Sequence, residues 1–139
     1  MLRFLSFGSG SSGNCYLLYT DTDCLMIDCG VGIRSLKKSF HNYGLQMKMV
    51  HNILITHDHA DHVKSVGSIS GDLQLPVYTT SDVHLGISKN WCVRRKIDHE
   101  LTRELIKDQE LKIGDFFVRP LYVPNDGPWR FSPDADAAD

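Results

Sequence analysis

The sequence has no long apolar run, no C-x-x-C pair and little net charge. Its apolar N-terminal stretch, residues 1–7, gives way to Gly and Ser, and it is therefore too short for a secretory signal or a membrane span. Four cysteines without close pairing do not suggest a disulfide framework. The formal net charge of −2 provides no bulk attraction to nucleic acid or to anionic lipid. These absences predict a cytoplasmic, thiol-reduced protein that does not bind membranes.

What is present is typical of one soluble globular domain. The chain of 139 residues is 42% hydrophobic and 23% charged, enough for a core. Apolar runs and turn formers predict strands over 2–7, 15–19, 24–28, 52–56, 76–79, 110–113 and 116–123. Apolar periodicity predicts helices over 33–43, 62–69 and 82–89. The order predicts an α/β fold that opens with an antiparallel meander and continues in β-α-β fashion.

Local turn chemistry refines these boundaries. Gly44 is a candidate helix C-cap, Ser81 a candidate N-cap, and 114–115 a candidate hairpin turn. Residues 124–139 are rich in Pro, Asp and Ala, and this composition predicts an irregular tail over 125–139.

The glycine-rich segment 8–13 matches G-x-G-x-x-G after a strand. A dinucleotide site needs a helix to open at those glycines. Only six residues separate Asn14 from the turn that begins at Asp21, too few for that helix, and we reject this interpretation. The loop either lines an active-site mouth or forms a plain turn.

Three His and two Asp follow a buried strand within six residues, 57–62. Alternate residues of an extended chain point the same way, so His57, His59 and Asp61 are expected to project together, and a turn into the next helix brings His62 round. Imidazoles and a carboxylate suit Zn(II), Fe(II) or Mn(II). Solvated loop histidines are the usual interpretation of a single His, but not of this cluster. The motif predicts a metal site.

The segment His57-x-His59-x-Asp61-His62 resembles the H-x-H-x-D-H signature of the metallo-β-lactamase superfamily. Ile27-Asp28-Cys29-Gly30 resembles that superfamily's first motif, and 8–15 is similar to the opening of its YycJ-like bacterial branch of metallo-hydrolases. The resemblance runs from about residue 2 to residue 124. It implies an αββα sandwich of which 1–124 is the N-terminal half, each half supplying one sheet.

The resemblance implies roles for these residues. His57 and His59 bind one divalent metal, Asp61 and His62 bind a second, and Asp61 also orients the nucleophile as a catalytic residue. Asp28 supports the metal-binding loop. The two metals, zinc first with manganese or iron as alternatives, activate a shared water.

The resemblance also marks a departure. Asn125 stands where the branch has a third His ligand, and Asn is a poor ligand for such metals. No bridging Asp is evident further on, and Asp134 and Asp136 are not promoted to that role. We therefore expect weak metal binding, at about one site per chain, and little turnover.

The leading functional hypothesis is a metal-dependent hydrolase that acts on phosphodiesters, either nucleic acid or a small phosphodiester. Thioester or lactone hydrolysis and a non-catalytic metal-binding or self-associating fragment remain alternatives. A lone half would expose an apolar sheet face, which predicts a homo-oligomer. The basic residues around Trp91 either contact a phosphate backbone or form a solvated helix end, and the second interpretation is modestly favoured. They are Lys89, Arg94, Arg95 and Lys96.

Overall fold

The computed structural model describes residues 1–121 and the backbone of residues 130–134. The strands are β1 (Arg3–Gly8), β2 (Cys15–Tyr19), β3 (Cys24–Ile27), β4 (Asn52–Leu54), β5 (Val77–Thr80), β6 (Thr102–Leu105), β7 (Leu111–Ile113), β8 (Phe116–Leu121) and β9 (Arg130–Asp134). The helices are α1 (Ile33–Asn42), α2 (Ala60–Val63), α3 (Val66–Leu73) and α4 (Ser81–Lys89). The chain is therefore mixed α/β, as predicted.

Strands β1 to β6 form one sheet in sequence order. The first three strands are antiparallel, and β3 to β6 are parallel, which confirms the predicted meander followed by β-α-β units. In the parallel part, Ile27 at the end of β3 pairs with Leu54 at the end of β4. Because both strands end at the same edge of the sheet, the segments that begin at Asp28 and Ile55 emerge side by side.

The helices cover one face of this sheet. Their apolar stripes contribute Leu36 and Phe40 from α1, Val66 and Ile69 from α3, and Val83 and Ile87 from α4 to one core cluster. All six are at most 2% exposed, so this layer is well packed. Helix α1 ends one residue earlier than predicted, with Tyr43 as its C-cap; Gly44 follows with φ +69° and donates its backbone N–H to the carbonyl of His41.

Strands β7, β8 and β9 form a second, three-stranded antiparallel sheet. Its residues Ile113, Phe116 and Val118 pack with Leu25 and Leu54 in a second core cluster. The sequence-based expectation of an exposed apolar face is therefore wrong for these positions, because the chain supplies strands to both sheets. The homo-oligomer itself stays a prediction.

The helices predicted over 62–69 and 82–89 have different boundaries in the structure, where α3 ends at Leu73. The helix expected over 62–69 begins earlier and is broken at Ser65, because the carbonyl of His62 accepts from the backbone N–H of Cys29 and the N–H of Ser65 donates to the carbonyl of Cys29. Ser81 is the first residue of α4 and not its cap; the cap position is Thr80, which makes no side-chain capping hydrogen bond.

The predicted irregular tail over 125–139 is wrong for residues 130–134. Their backbone pairs with β8 from Arg130 opposite Leu121 to Asp134 opposite Phe117. The composition of this segment disfavours a strand. Pairing with a neighbouring strand outweighs intrinsic β-propensity. In the described part of the chain, every helix is too short or too polar to cross a lipid bilayer.

Candidate metal centre

The candidate site lies where β3 and β4 end. Asp28 follows β3 directly, with a left-handed backbone (φ 65°) and 2% exposure. Asp and Asn tolerate this conformation better than other non-glycine residues. A buried charge in such a backbone persists only where its surroundings satisfy it.

The Asp28 carboxylate is satisfied by the segment that follows β4. Its Oδ1 accepts the backbone N–H of Thr56 at 2.8 Å, and its Oδ2 accepts the Thr56 hydroxyl at 2.6 Å and Nδ1 of His62 at 2.7 Å. The backbone N–H of Asp28 donates to the carbonyl of Leu54 at 2.8 Å. Asp28 thus ties the end of β3 to both ends of the metal-binding loop, residues 56–62.

This network selects the tautomers of two histidines. Since Nδ1 of His62 faces the carboxylate, it carries the proton, and Nε2 keeps its lone pair. The Thr56 hydroxyl gives its proton to Asp28, so it accepts from Nδ1 of His57 at 2.9 Å. His57 then carries a proton on Nδ1, as His62 does. Both imidazoles are prepared to bind a metal through Nε2.

The four predicted ligands are neighbours in pairs. The ring of His57 is 4.5 Å from that of His62 and 5.9 Å from that of His59, between centroids. Oδ2 of Asp61 lies 3.8 Å from Nε2 of His62, a distance that one ion with bonds of about 2.0–2.2 Å can span. His59 faces solvent, with 67% of its side chain exposed.

Asp28, His57 and His62 also form a geometric cluster whose potential ligand atoms lie within 4.8 Å of one another. Both carboxylate oxygens of Asp28 are already used by Thr56 and His62. Asp28 is therefore better suited to orient the two histidines than to bind a metal itself, as the sequence-based interpretation expects.

His62 has a perturbed acidity. Burial lowers its pKa, but the hydrogen bond and charge of Asp28, together with the charge of Asp61, outweigh burial and raise the pKa above its ordinary value.

Asn14 is a site residue that the sequence-based reasoning missed. Its amide nitrogen lies 3.1 Å from the carbonyl and 3.3 Å from Oδ2 of Asp61, and 3.5 Å from Nε2 of His62. Its amide oxygen accepts the hydroxyl of Tyr16 at 3.1 Å and the N–H of Gly10 at 3.0 Å. The glycine-rich loop is therefore more than a plain turn, since it carries the side chain that holds Asp61. The only sequence signal for this role of Asn14 was its position as a polar residue between a run of glycines and a buried strand.

The backbones of three segments meet closely beside Asn14. The N–H of Asn14 donates to the carbonyl of Asp61 at 2.7 Å, and the N–H of Gly30 donates to the carbonyl of Asn14 at 2.8 Å. A Cβ at Gly30 would overlap the carbonyl group of Asp61. Gly30 is thus required by close approach at this point.

One aspect of the predicted geometry is wrong. Asp61 lies in the first turn of α2 and not in extended chain, although His59 has extended torsions (φ −74°, ψ 149°). The helix still brings Asp61 and His62 to the site. Asn125 lies outside the described residues, as does Asp136, and Asp134 is described in its backbone only.

Comparisons with known proteins agree with this architecture. The family described as "Anti-Pycsar protein Apyc1" matches residues 5–118. Exodeoxyribonuclease YycJ of Bacillus anthracis is 36% identical over 77 residues, 55% of this chain and 29% of that protein. Anti-Pycsar protein Apyc1 of Paenibacillus harenae is 31% identical over 122 residues, 84% of this chain and 46% of that protein.

A solved structure shows the same fold. The subclass B3 metallo-β-lactamase BJP-1 of Bradyrhizobium japonicum superposes with a TM-score of 0.73 at 16% identity, covering 96% of this chain and 53% of that protein. The chain spans about half or less of these relatives' length. On the family match, the chain belongs to the family described as Anti-Pycsar protein Apyc1, and its fold is that of the metallo-β-lactamases.

Proposed function

We propose that this chain forms the metal-binding half of a hydrolase that cleaves phosphodiesters. The observation that carries the proposal is the network of Asp28 and Thr56, which places a proton on Nδ1 of His57 and of His62, so that each ring would bind a metal through Nε2 beside the Asp61 carboxylate. Neutral imidazoles and a carboxylate fit a divalent first-row metal.

His57, His59, Asp61 and His62 would hold the metal. A bound divalent metal supplies a nucleophile by lowering the pKa of water, and it stabilises negative charge that develops at phosphorus. Asp28 orients the imidazoles, and Asn14 holds the Asp61 carboxylate at the mouth of the site. Asp61 would also orient the nucleophile, since its side chain is one-third exposed at that mouth.

The preference for phosphodiesters is supported by relatives. YycJ is named an exodeoxyribonuclease, and hydrolysis at phosphorus uses the same donor set as hydrolysis at carbon. Thioester or lactone substrates are the alternative within the same chemistry. The proposal predicts that this chain, if it turns over at all, cleaves a chromogenic phosphodiester in preference to a thioester.

The first test is the metal content of the chain purified without chelators, measured by elemental analysis. A catalytic zinc takes three protein ligands and a water, and four protein donors cannot supply two such sites, so we expect at most about one zinc per chain. His59→Ala, a change at an exposed side chain, should lower this content while leaving the fold intact by circular dichroism. A chain without metal would contradict the proposal, and a tight complex with two zinc ions would contradict the expected stoichiometry.

A non-catalytic metal-binding fragment is the second candidate. The observation that favours it is that the described residues form a single candidate cluster of metal ligands. Metal binding without cleavage of any tested ester, at metal saturation, would favour this candidate. Light scattering would show whether such a fragment also self-associates.

A further inference from the structure

An open cavity of about 510 Å³ lies beside the metal-binding loop. Its walls come from the first turn of α1, the end of α2 and the loop 90–96, and include Lys64, Trp91, Arg94 and Arg95. Sites for small molecules span roughly 300–1,000 Å³. Neither the metal-binding motif nor the proposed chemistry uses this cavity.

The cavity is positively charged. Lys64 and Arg94 are exposed, and among the residues that the structure describes neither has a carboxylate within 4.0 Å. Arg95 is partly neutralised, because its Nη1 lies 2.7 Å from Oδ1 of Asp72. Two cations at one cavity without acidic partners fit an anionic ligand with more than one charge.

Trp91 is held out into solvent by a well-anchored loop. Its exposed fraction is 85%, whereas Val93, two residues later, is 1% exposed in the main core. The ammonium of Lys96 donates to the carbonyl of Asn90 at 2.6 Å and lies 3.3 Å from that of Ile87 in α4. Core packing does not require an indole in this position, so its apolar faces remain available for stacking.

The same loop is joined to the metal-binding loop. The Asn90 amide donates to the carbonyl of Asp58 at 2.9 Å, and Lys64 follows His62 by two residues. A polymer bound in the cavity therefore lies next to the site where its backbone would be cleaved.

We propose that this cavity binds a single-stranded nucleic acid segment, with Lys64 and Arg94 on successive phosphates and Trp91 stacked on a base. A basic groove with an aromatic platform is how proteins bind single strands without sequence preference. This proposal names a ligand for the proposed phosphodiesterase, and it rests on that function. Binding itself requires no metal, so the two can be tested apart.

Cys92 provides a local reporter, because it lines the cavity and is partly exposed. The other three thiols are buried, and burial raises the pKa of Cys15 and Cys24 to about 12 and that of Cys29 well above its ordinary value. Alkylation by iodoacetamide in the folded chain therefore reports on Cys92 alone.

The experiment measures the Cys92 alkylation rate and the anisotropy of labelled oligothymidylate, both in EDTA. We expect saturating oligonucleotide to slow alkylation at least fivefold. Trp91→Ala should weaken binding about tenfold, and Arg94→Gln should reduce the slope of log affinity against log salt by about 0.7. Lys112→Gln, which removes one charge from the opposite sheet, should change neither.

Three results would overturn the proposal. Binding that leaves Cys92 unprotected would place the strand elsewhere, and equal affinities for Arg94→Gln, Trp91→Ala and Lys112→Gln would show non-specific attraction. Protection by inorganic phosphate as strong as that by oligonucleotide would show a small-anion pocket. Elemental analysis of the chain purified without chelators is the separate test of the proposed function. If it found no metal while oligonucleotide still protected Cys92, this proposal would be supported and the proposed function contradicted.

Discussion

Asp28 packs against the metal-binding loop and His59 belongs to it, and the two side chains differ sharply in burial. The Asp28 side chain is 2% exposed and that of His59 is 67% exposed. Asp28 engages Thr56 and His62 through three hydrogen bonds, whereas the nearest charged partner of His59 is Asp58 at 3.8 Å. One side of the loop is therefore fixed by hydrogen bonds within the fold, and the other is exposed to solvent.

The largest expected effect is on the free energy of unfolding, when Asp28 is replaced. Asp28→Ala leaves the Thr56 N–H and Nδ1 of His62 without acceptors, and losing a buried charged partner costs about 3–5 kcal/mol. Urea denaturation in EDTA, followed by circular dichroism, measures the free energy of unfolding. Asp28→Asn keeps the shape and tolerates φ 65°, so it should lose less.

His59→Ala is the matched control on the open side. Because it removes an exposed side chain, its unfolding free energy should stay within about 0.5 kcal/mol of the unsubstituted chain. Equal unfolding free energies for Asp28→Ala and His59→Ala would contradict the structural role that we assign to Asp28.

The next effect comes from the close approach at Gly30. A Cβ there would overlap the carbonyl of Asp61 and lie 2.9 Å from the backbone nitrogen of Asn14, so Gly30→Ala should cost about 1–3 kcal/mol and lower metal affinity. Gly32→Ala is the control, since its Cβ would meet nothing within 4 Å. Thermal melts and zinc titrations of the pair measure both effects, and equal behaviour would argue against tight backbone packing at this point.

The third effect is expected at Asn14, in metal affinity. Asn14→Ala releases the Asp61 carboxylate, and losing a partner that orients a metal ligand typically lowers metal affinity about 10–100-fold. Competition with a chromophoric zinc chelator measures this affinity. Ser11→Ala, at an exposed position of the same loop, should bind zinc normally. Unchanged affinity in Asn14→Ala would mean that Asp61 is held by α2 alone.

The order of elements was largely readable from the sequence, and the exceptions have identifiable causes. Strand β2 was predicted to the residue, because apolar residues and turn formers bound it. Strand β6 (Thr102–Leu105) was missed, since two of its four residues are exposed charges at the edge of the sheet. Strand β9 was missed because its pairing with β8 outweighs its Pro- and Asp-rich composition.

The sequence by itself determined the types of donor atom and their spacing in 57–62, since both are properties of a short local segment. It also determined the alternation of strands and helices that brings this segment to the edge of a sheet. The tertiary structure decided which nitrogen of each imidazole carries the proton, how Asp61 is held and which residues surround Trp91. These depend on contacts between residues 28 to 47 positions apart, such as Asp28 with Thr56 and Asn14 with Asp61. Local sequence patterns do not encode such contacts, because only packing of the whole chain brings these residues together.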